Sequence, residues 1–335
     1  MKSITAAWAA ALALSPLAAS AQNLAALQAA AEKKPAVIWY ESSPTDQADK
    51  VIAAFNKKFP QVKVRQVRMV GGNDLAVKTV QEMQARGYTG DVLTGGADHL
   101  WSLKERGYLE SMNWSSIQVD KALAPNPFMM STTASVYVVL WNSKKVTDAQ
   151  APTTWEQVLD PKWTNRMGSW VRASVFAQLA ATQGASTAQK QLQQFIALKP
   201  MLFKSTFPLA QAVGAGEVDI GVGFYHSTLP PMNAGAPIKM RAMEIVPMHI
   251  IYSGISKNAR NPEGARLFLS WLATEQGALS YEEATGRGNP LIPKTKTAQF
   301  LKGKKLSEWA PEKSGELGAL NEHFNKMLEA VGAAR

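Results

Sequence analysis

Cysteine is absent from the 335 residues. That absence excludes disulfide staples, and it excludes the acceptor cysteine that a lipid-anchored exported protein carries just after its signal. The chain has to hold itself together with its core. Histidine is scarce: His99, His226, His249 and His323 stand far apart, so no zinc-type spacing exists. No phosphate-loop signature and no G-x-S-x-G nucleophile elbow occur. The run "GAGEVDIG" precedes its strand instead of following one, so it is no dinucleotide fingerprint. An exported enzyme needs a base poised beside a nucleophile or a metal, and no such constellation is visible. Beyond the N-terminal segment no apolar run approaches the ~20 residues that a membrane span needs. Internal repeats and low-complexity segments are also missing.

What is present begins with the N-terminus. Met1-Lys2 is a short positive region, Ile4 to Leu17 is an apolar run, and Ala19-Ser20-Ala21 fits the small-x-small rule of signal peptidase. Residues 1–21 therefore read as a signal peptide cleaved before Gln22, and the expected location is the periplasm, as a soluble protein. A twin arginine is lacking, which points to the general export route. The formal net charge is +10, and loss of Lys2 with the signal leaves 10 − 1 = +9. Such a balance favours anionic solutes or serves solubility. Nucleic acid is not an expected partner of an exported chain. The basic residues are scattered apart from Lys294, Lys296, Lys302, Lys304 and Lys305, which read as a solvated face.

Strand and helix signals alternate along the chain. "AVIWY" (36–40) is a short β-branched and aromatic run, followed by Ser43 as expected N-cap, Pro44 at the first helical position and an amphipathic helix that stops at Pro60. Strands follow at 62–70 and 90–96, each leading into a helix. This β-α-β-α-β rhythm predicts an α/β protein with mostly parallel sheets flanked by helices. "SVYVVLWN" (135–142) is long enough to cross between two lobes, and "MEIVPMHIIYSGIS" (243–256) reads as the return crossing. A second α/β series lies between them. It holds a helix capped at Thr153 or Thr154, a strand at 167–171, and helices after Ser174, near 187–198 and after Pro208. A helix from Pro262 to about Gln276 and one near 314–331 complete the list. The length suits about two domains. The expected division puts 22–138 and 248–285 in lobe 1, and 139–247 and 286–335 in lobe 2.

A recurring feature is a strand followed by a helix start rich in small polar residues: Ser42-Ser43, Gly71-Gly72-Asn73, Thr94-Gly95-Gly96, Arg172-Ala173-Ser174 and Thr206-Phe207. Ordinary capping explains any one of them. The set, in two α/β halves, suggests a ligand cleft, because ligands of open α/β sheets bind beyond the carboxyl ends of the strands, where helix N-termini offer free N–H groups.

With those residues in view, the chain resembles the type II periplasmic solute-binding proteins of ABC transporters, near the branch of ferric-iron and sugar-phosphate binders. The matching stretches are "VIWYESSP", "FNKKFPQVKV", "GDVLTGGADHLWSLKERGYLE", "YVVLWNSKKV", "TTWEQVLDPKW", "AQAVGAGEVDIGVG" and "NPEGARLFLSWLAT". The resemblance implies two lobes joined by crossing strands, closing on a solute and delivering it to an inner-membrane permease. It implies a monomer without a cofactor. A sensor that feeds a membrane receptor shares these features.

"GEVDIGVGFYHST" (216–228) is then a glycine-rich strand whose end faces the cleft, making Tyr225, His226 and Ser227 candidate contacts. The ferric binders carry adjacent tyrosines at about this point and commonly a histidine after the first strand, where this chain has Tyr225-His226 and "YESSP". Ferric iron stays open as the alternative, since Glu41, Tyr225 and His226 can all ligate it. A small organic anion bearing a carboxylate or a phosph(on)ate is the expected ligand. Arg172 can grip it through a bidentate fork, with a surface ion pair as its other reading, and Ser42, Ser43 and Ser174 supply hydroxyls. Gly72, Gly96 and Thr206 complete the expected ligand-binding set of Glu41, Ser42, Ser43, Arg172, Ser174, Tyr225 and His226. Trp39, Tyr40, Trp170 and Phe207 are either core or stacking surfaces. Glu244 and Tyr252 are weaker candidates.

Overall fold

A computed structural model describes residues 16–69 and 72–332. Most of the expected signal peptide lies outside these residues. From Pro16 the backbone is helical to Ala31, and Leu27 and Ala31 pack with the helix Pro262–Leu272.

Among the described residues ten strands form one sheet: β1 Val37–Glu41, β2 Val64–Arg68, β3 Val92–Gly96, β4 Met130–Asn142, β5 Met167–Trp170, β6 Met201–Phe203, β7 Ile220–Phe224, β8 Ile238–Arg241, β9 Ile245–Ile255 and β10 Lys305–Ser307. Their order is β2-β1-β3-β9-β4-β7-β5-β6, with β8 beside β4 and β10 beside β9. β1 runs parallel to β2 and β3, and β5 runs parallel to β6 and β7. The antiparallel pairs all involve β4 or β9. This is a mixed, mostly parallel α/β architecture in two halves, as expected.

The two halves meet through β4 and β9. Residues Met130–Val136 of β4 pair with β9, and Tyr137–Trp141 pair with β7. Within β9, Ile251–Ile255 pair with β3 while Ile245–Pro247 pair with β10. β4 is buried along its whole length, although it opens on the polar run "MSTTAS". One of its hydroxyls joins a buried row: Thr132 Oγ1 donates to Ser253 Oγ (2.6 Å), Ser253 Oγ lies 2.7 Å from Thr94 Oγ1, and Trp39 Nε1 donates to Thr94 Oγ1 (2.9 Å). Polar groups buried in a strand need such partners, so the row ties β3, β9 and β4 together.

Each half has its own aromatic core. Trp39, Phe55, Phe268 and Trp271 pack under the first half, and Trp155, Trp163, Phe176 and Phe195 under the second. Several local expectations change. Ser43 is not the N-cap of the helix Thr45–Lys58; Pro44 holds that place and Ser43 bonds Glu41. Thr154, not Thr153, caps Trp155–Val158, while Thr153 bonds the Gln157 side chain. The helix expected from Pro262 to Gln276 is two helices, Pro262–Leu272 and Glu275–Thr285, because Thr274 Oγ1 accepts the Gly277 amide at 3.0 Å and starts a new one. Residues 286–297 bond toward the first half: Gly288 O accepts the Ala134 amide, Asn289 Nδ2 donates to Ser131 O, and Thr297 Oγ1 donates to Glu282.

Candidate functional site

The carboxyl ends of β1, β3, β5 and β7 open toward the line where β4 and β9 cross. At the end of β1, Glu41 is 1% exposed. It accepts from the Ser43 amide, from Ser43 Oγ (2.6 Å), from the Tyr281 phenol (2.7 Å) and from Gln66 Nε2 (3.1 Å). Its carboxylate is thus the anchor of the loop, and Ser42 beside it is exposed. Arg287, which the sequence reasoning missed, reaches the same loop. Its Nη1 donates to Ser42 Oγ and Ser43 Oγ, both at 3.3 Å, and lies 3.8 Å from Glu41 Oε1. The signal that marks it is "GRG", a cation held between two glycines just after a helix.

At the end of β3, Gly96 leads into the helix Ala97–Glu105 with no side-chain cap. A Cβ there would stand 2.7 Å from Asp98 Oδ1 and 3.3 Å from His99 Nδ1, so only glycine leaves this Asp98–His99 pair in place. Burial raises the Asp98 carboxyl, but the hydrogen bond and charge of His99 outweigh it and hold Asp98 below its ordinary range. Gly72 opens the helix Gly72–Gln84 after β2.

At the end of β5, Arg172 is half-buried and its guanidinium lies 5.4 Å from the Trp170 ring centroid. Among the described residues it has no carboxylate partner. Ser174 follows, 6% exposed, as the first residue of the helix Ser174–Gln183, which lacks a side-chain cap. Tyr137 from β4 stands beside both: burial pushes its phenol well up, while the Ser174 hydroxyl and the Arg172 charge pull it back.

β7 ends at Phe224 and the helix Tyr225–Asn233 starts at once. His226 is buried, stacked on Phe224 (5.3 Å) and met edge-on by Phe207 (5.9 Å). Burial first, and the Arg287 charge second, hold it well below the ordinary histidine range, so it is neutral. Tyr225 points away from it onto Phe300, with ring centroids 4.7 Å apart. Ser227 Oγ turns back to Phe224 O (3.0 Å). Thr206 is buried at the start of the helix Thr206–Ala215, whose cap is Ser205. Of the ring candidates, Trp39 and Tyr40 are core, whereas Trp170 and Phe207 are half-buried at the strand ends. Glu244 accepts the Trp155 amide (3.1 Å) and Tyr252 is buried within β9.

The crossing itself carries a polar group that the sequence reasoning also missed. His249 of β9 has Nε2 3.2 Å from the Tyr137 phenol and Nδ1 2.8 Å from Gln178 Nε2. Gln178 Nε2 can only donate, so Nδ1 accepts and Nε2 carries the proton. Burial drives the His249 pKa down to about 4, against the pull of Asp98 and with a further push from His99. The alternation "MHIIY" gives no hint that this histidine meets a strand from the other crossing.

Comparison with known proteins decides the family. The family profile described as bacterial extracellular solute-binding protein matches residues 50–308. This chain belongs to that family. A relative from Haemophilus influenzae, named only as an uncharacterised protein, is 24% identical over 283 residues, spanning 75% of this chain and 77% of its own. Iron-bound HitA from Pseudomonas aeruginosa is similar in structure, with a TM-score of 0.73 at 19% identity over 88% of this chain and 99% of its own. AfuA from Actinobacillus pleuropneumoniae, with fructose-6-phosphate bound, gives 0.74 at 20% identity over 88% and 98%. The solute-binding protein thus has the two-lobed type II periplasmic fold, and its family is one of extracellular solute binders. Among the described residues no helix is long and apolar enough to cross a membrane, and no three His, Asp or Glu side chains converge as a metal-ligating group.

Proposed function

We propose that this protein captures a small organic anion, bearing a carboxylate or a phosph(on)ate, in the cleft between its two lobes and hands it to the permease of an ABC importer. It acts as a monomer and binds its solute without catalysis or cofactor. The observation that carries this reading is Arg172: a half-buried cation at a strand end, beside an uncapped helix start, with no carboxylate partner among the described residues. A guanidinium so placed has its fork free for an incoming anion, and the helix start adds free N–H groups. Lobe 1 comprises 22–138 and about 248–301, lobe 2 the intervening segment and the C-terminal helix; the bonds of residues 286–297 to Ser131, Ala134 and Glu282 support that adjustment.

Ferric iron fits the residues less well. Burial, and then the Glu282 charge, raise the Tyr225 phenol, which works against the tyrosinate that ferric iron prefers. The test is calorimetric titration of wild type and Arg172→Ala with the small molecule that co-purifies and is identified by mass spectrometry. Loss of a charge partner in a closed cleft costs roughly 2–5 kcal/mol, about thirtyfold or more in Kd. Arg172→Lys recovers only part, because an ammonium lacks the fork. Unchanged affinity in Arg172→Ala refutes the reading, and a chelator-sensitive visible band replaces it with iron.

A further inference from the structure

Gly286 follows the helix Glu275–Thr285 in the left-handed region, at φ 73°. It lies flat against the other lobe: a Cβ built there would stand 3.3 Å from the Cα, Cβ and O of His226. The next residue, Arg287, is therefore delivered to the seam between the end of β1 and the end of β7. Its Nη1 is occupied by the Ser42 and Ser43 hydroxyls, but its Nε is buried with no partner among the described residues. Across the seam His226 Nδ1 is buried and equally without a partner. An orphaned buried polar atom costs about 1–3 kcal/mol. Here there are two, one from each lobe: Arg287 Nε can only donate, while Nδ1 of the neutral His226 donates or accepts with its tautomer, so a solute oxygen such as a hydroxyl, which can do both, answers the pair.

Charge separates this place from Arg172. Arg287 has the Glu41 carboxylate at 3.8 Å, so the pair is close to neutral, and Arg172 has no such companion. Between the two guanidiniums runs an aromatic wall: Arg172 over Trp170 (5.4 Å), Trp170 on Phe224 (5.8 Å), and Phe224 on His226 (5.3 Å).

We propose that Arg287 and His226 form a second polar subsite of the cleft that takes an uncharged oxygen, a hydroxyl or a carbonyl, while Arg172 takes the anionic group at the other end of the same solute. This deepens the functional reading above and rests on its assignment of Arg172. A methyl at the far end of the solute leaves both nitrogens orphaned. A second carboxylate there meets Glu41, whose charge already offsets that of Arg287.

The test uses short straight-chain carboxylates and phosphate monoesters, each carrying a methyl, a hydroxyl or a carboxylate at the far end. Each is titrated into wild type, Arg287→Met, His226→Phe and Arg172→Ala. In wild type the best hydroxyl-ended probe binds roughly tenfold to a hundredfold tighter than its methyl-ended match, and the carboxylate-ended match gains nothing. Arg287→Met and His226→Phe each abolish that preference and leave the methyl-ended probe unchanged; His226→Phe keeps the ring against Phe224, so folding is preserved. Arg172→Ala weakens all probes alike. Equal binding of methyl and hydroxyl ends in wild type, a hydroxyl preference that survives both variants, or a carboxylate end that wins through Arg287 overturns the subsite. If no probe binds wild type, or if Arg172→Ala binds them all as well as wild type does, the anion reading itself has failed and the subsite with it.

Discussion

Replacing Glu41 by alanine removes one buried carboxylate and redistributes the groups that lean on it. Gln66 Nε2 keeps Ser43 O at 2.9 Å, and the Ser43 hydroxyl keeps Arg287 at 3.3 Å. The Ser43 amide keeps nothing, and the Tyr281 phenol, on a side chain 1% exposed, keeps only the Ser43 hydroxyl. A buried polar group left short of its partner costs about 1–3 kcal/mol, and Arg287 loses the one carboxylate within 4 Å of it among the described residues. The sum is about 3–5 kcal/mol, the size seen when one partner of a buried charged network is removed. At roughly 2–4 °C per kcal/mol for a chain of this order of size, Tm falls by about 6–20 °C. Tyr281→Phe should lose only about 1 kcal/mol, since Glu41 keeps its other donors and no acceptor is stranded. The double variant Glu41→Ala with Tyr281→Phe should recover part of the loss, because the stranded phenol goes with its acceptor. The assay is thermal unfolding of protein freed of solute, as bound ligand would mask the change. A Glu41→Ala midpoint within about 2 °C of wild type, or strict additivity in the double variant, refutes this account of the loop.

Three further expectations follow from other parts of the molecule. Because the folded pKa of His249 is depressed from 6.5 to about 4, the unfolded chain takes up its proton first as pH falls; that stability is complete above about 6.5 and drains away toward 4. The loss is up to about 3 kcal/mol, and His249→Gln should flatten the slope of unfolding midpoint against pH, His226 supplying the remainder in the same direction. Gly277→Ala puts a Cβ 2.0 Å from the Trp271 carbonyl oxygen, and since backbone cannot swing aside it should lower the unfolding free energy measured in urea by about 1–3 kcal/mol. Small-angle scattering should show compaction when the co-purifying solute is restored to stripped protein; an unchanged radius at saturation would count against lobe closure.

The sequence was most legible where one residue type answers one need. β1, β3 and β7 announce themselves by apolar runs, and the helix start at Ser174 by small polar residues after a strand. The first half of β4 was not legible, because "MSTTAS" looks like a solvated turn until Ser253 and Asn289 are brought against it. β6, β8 and β10 have three or four residues each, too few to display a period. The break at Thr274 hides inside a continuous apolar pattern. Arg172 could be nominated from its local context. Arg287 has only the weak local mark of "GRG", since everything that gives it meaning, from Glu41 to His226, lies far away in the chain.

The crossing of β4 and β9 explains why the proposed contacts would matter to motion. Both strands change partners within one or two residues of each other, at Val136–Tyr137 and near Met248–His249, so a rotation of one lobe on the other bends the chain where ladder bonds are already handed over. At that point His249 is held by Tyr137 from β4 and by Gln178 from the second lobe, which makes the hinge a bonded joint with a fixed tautomer. A solute touching only one lobe binds open and closed forms alike and shifts nothing. One that reaches from Arg172, on the lobe built around β5 and β7, to Arg287, on the loop anchored by Glu41, contacts both at once only when the lobes meet. The free energy of the second contact is then the free energy of closure. For that reason a solute lacking its far oxygen should bind weakly at Arg172 and leave the lobes apart.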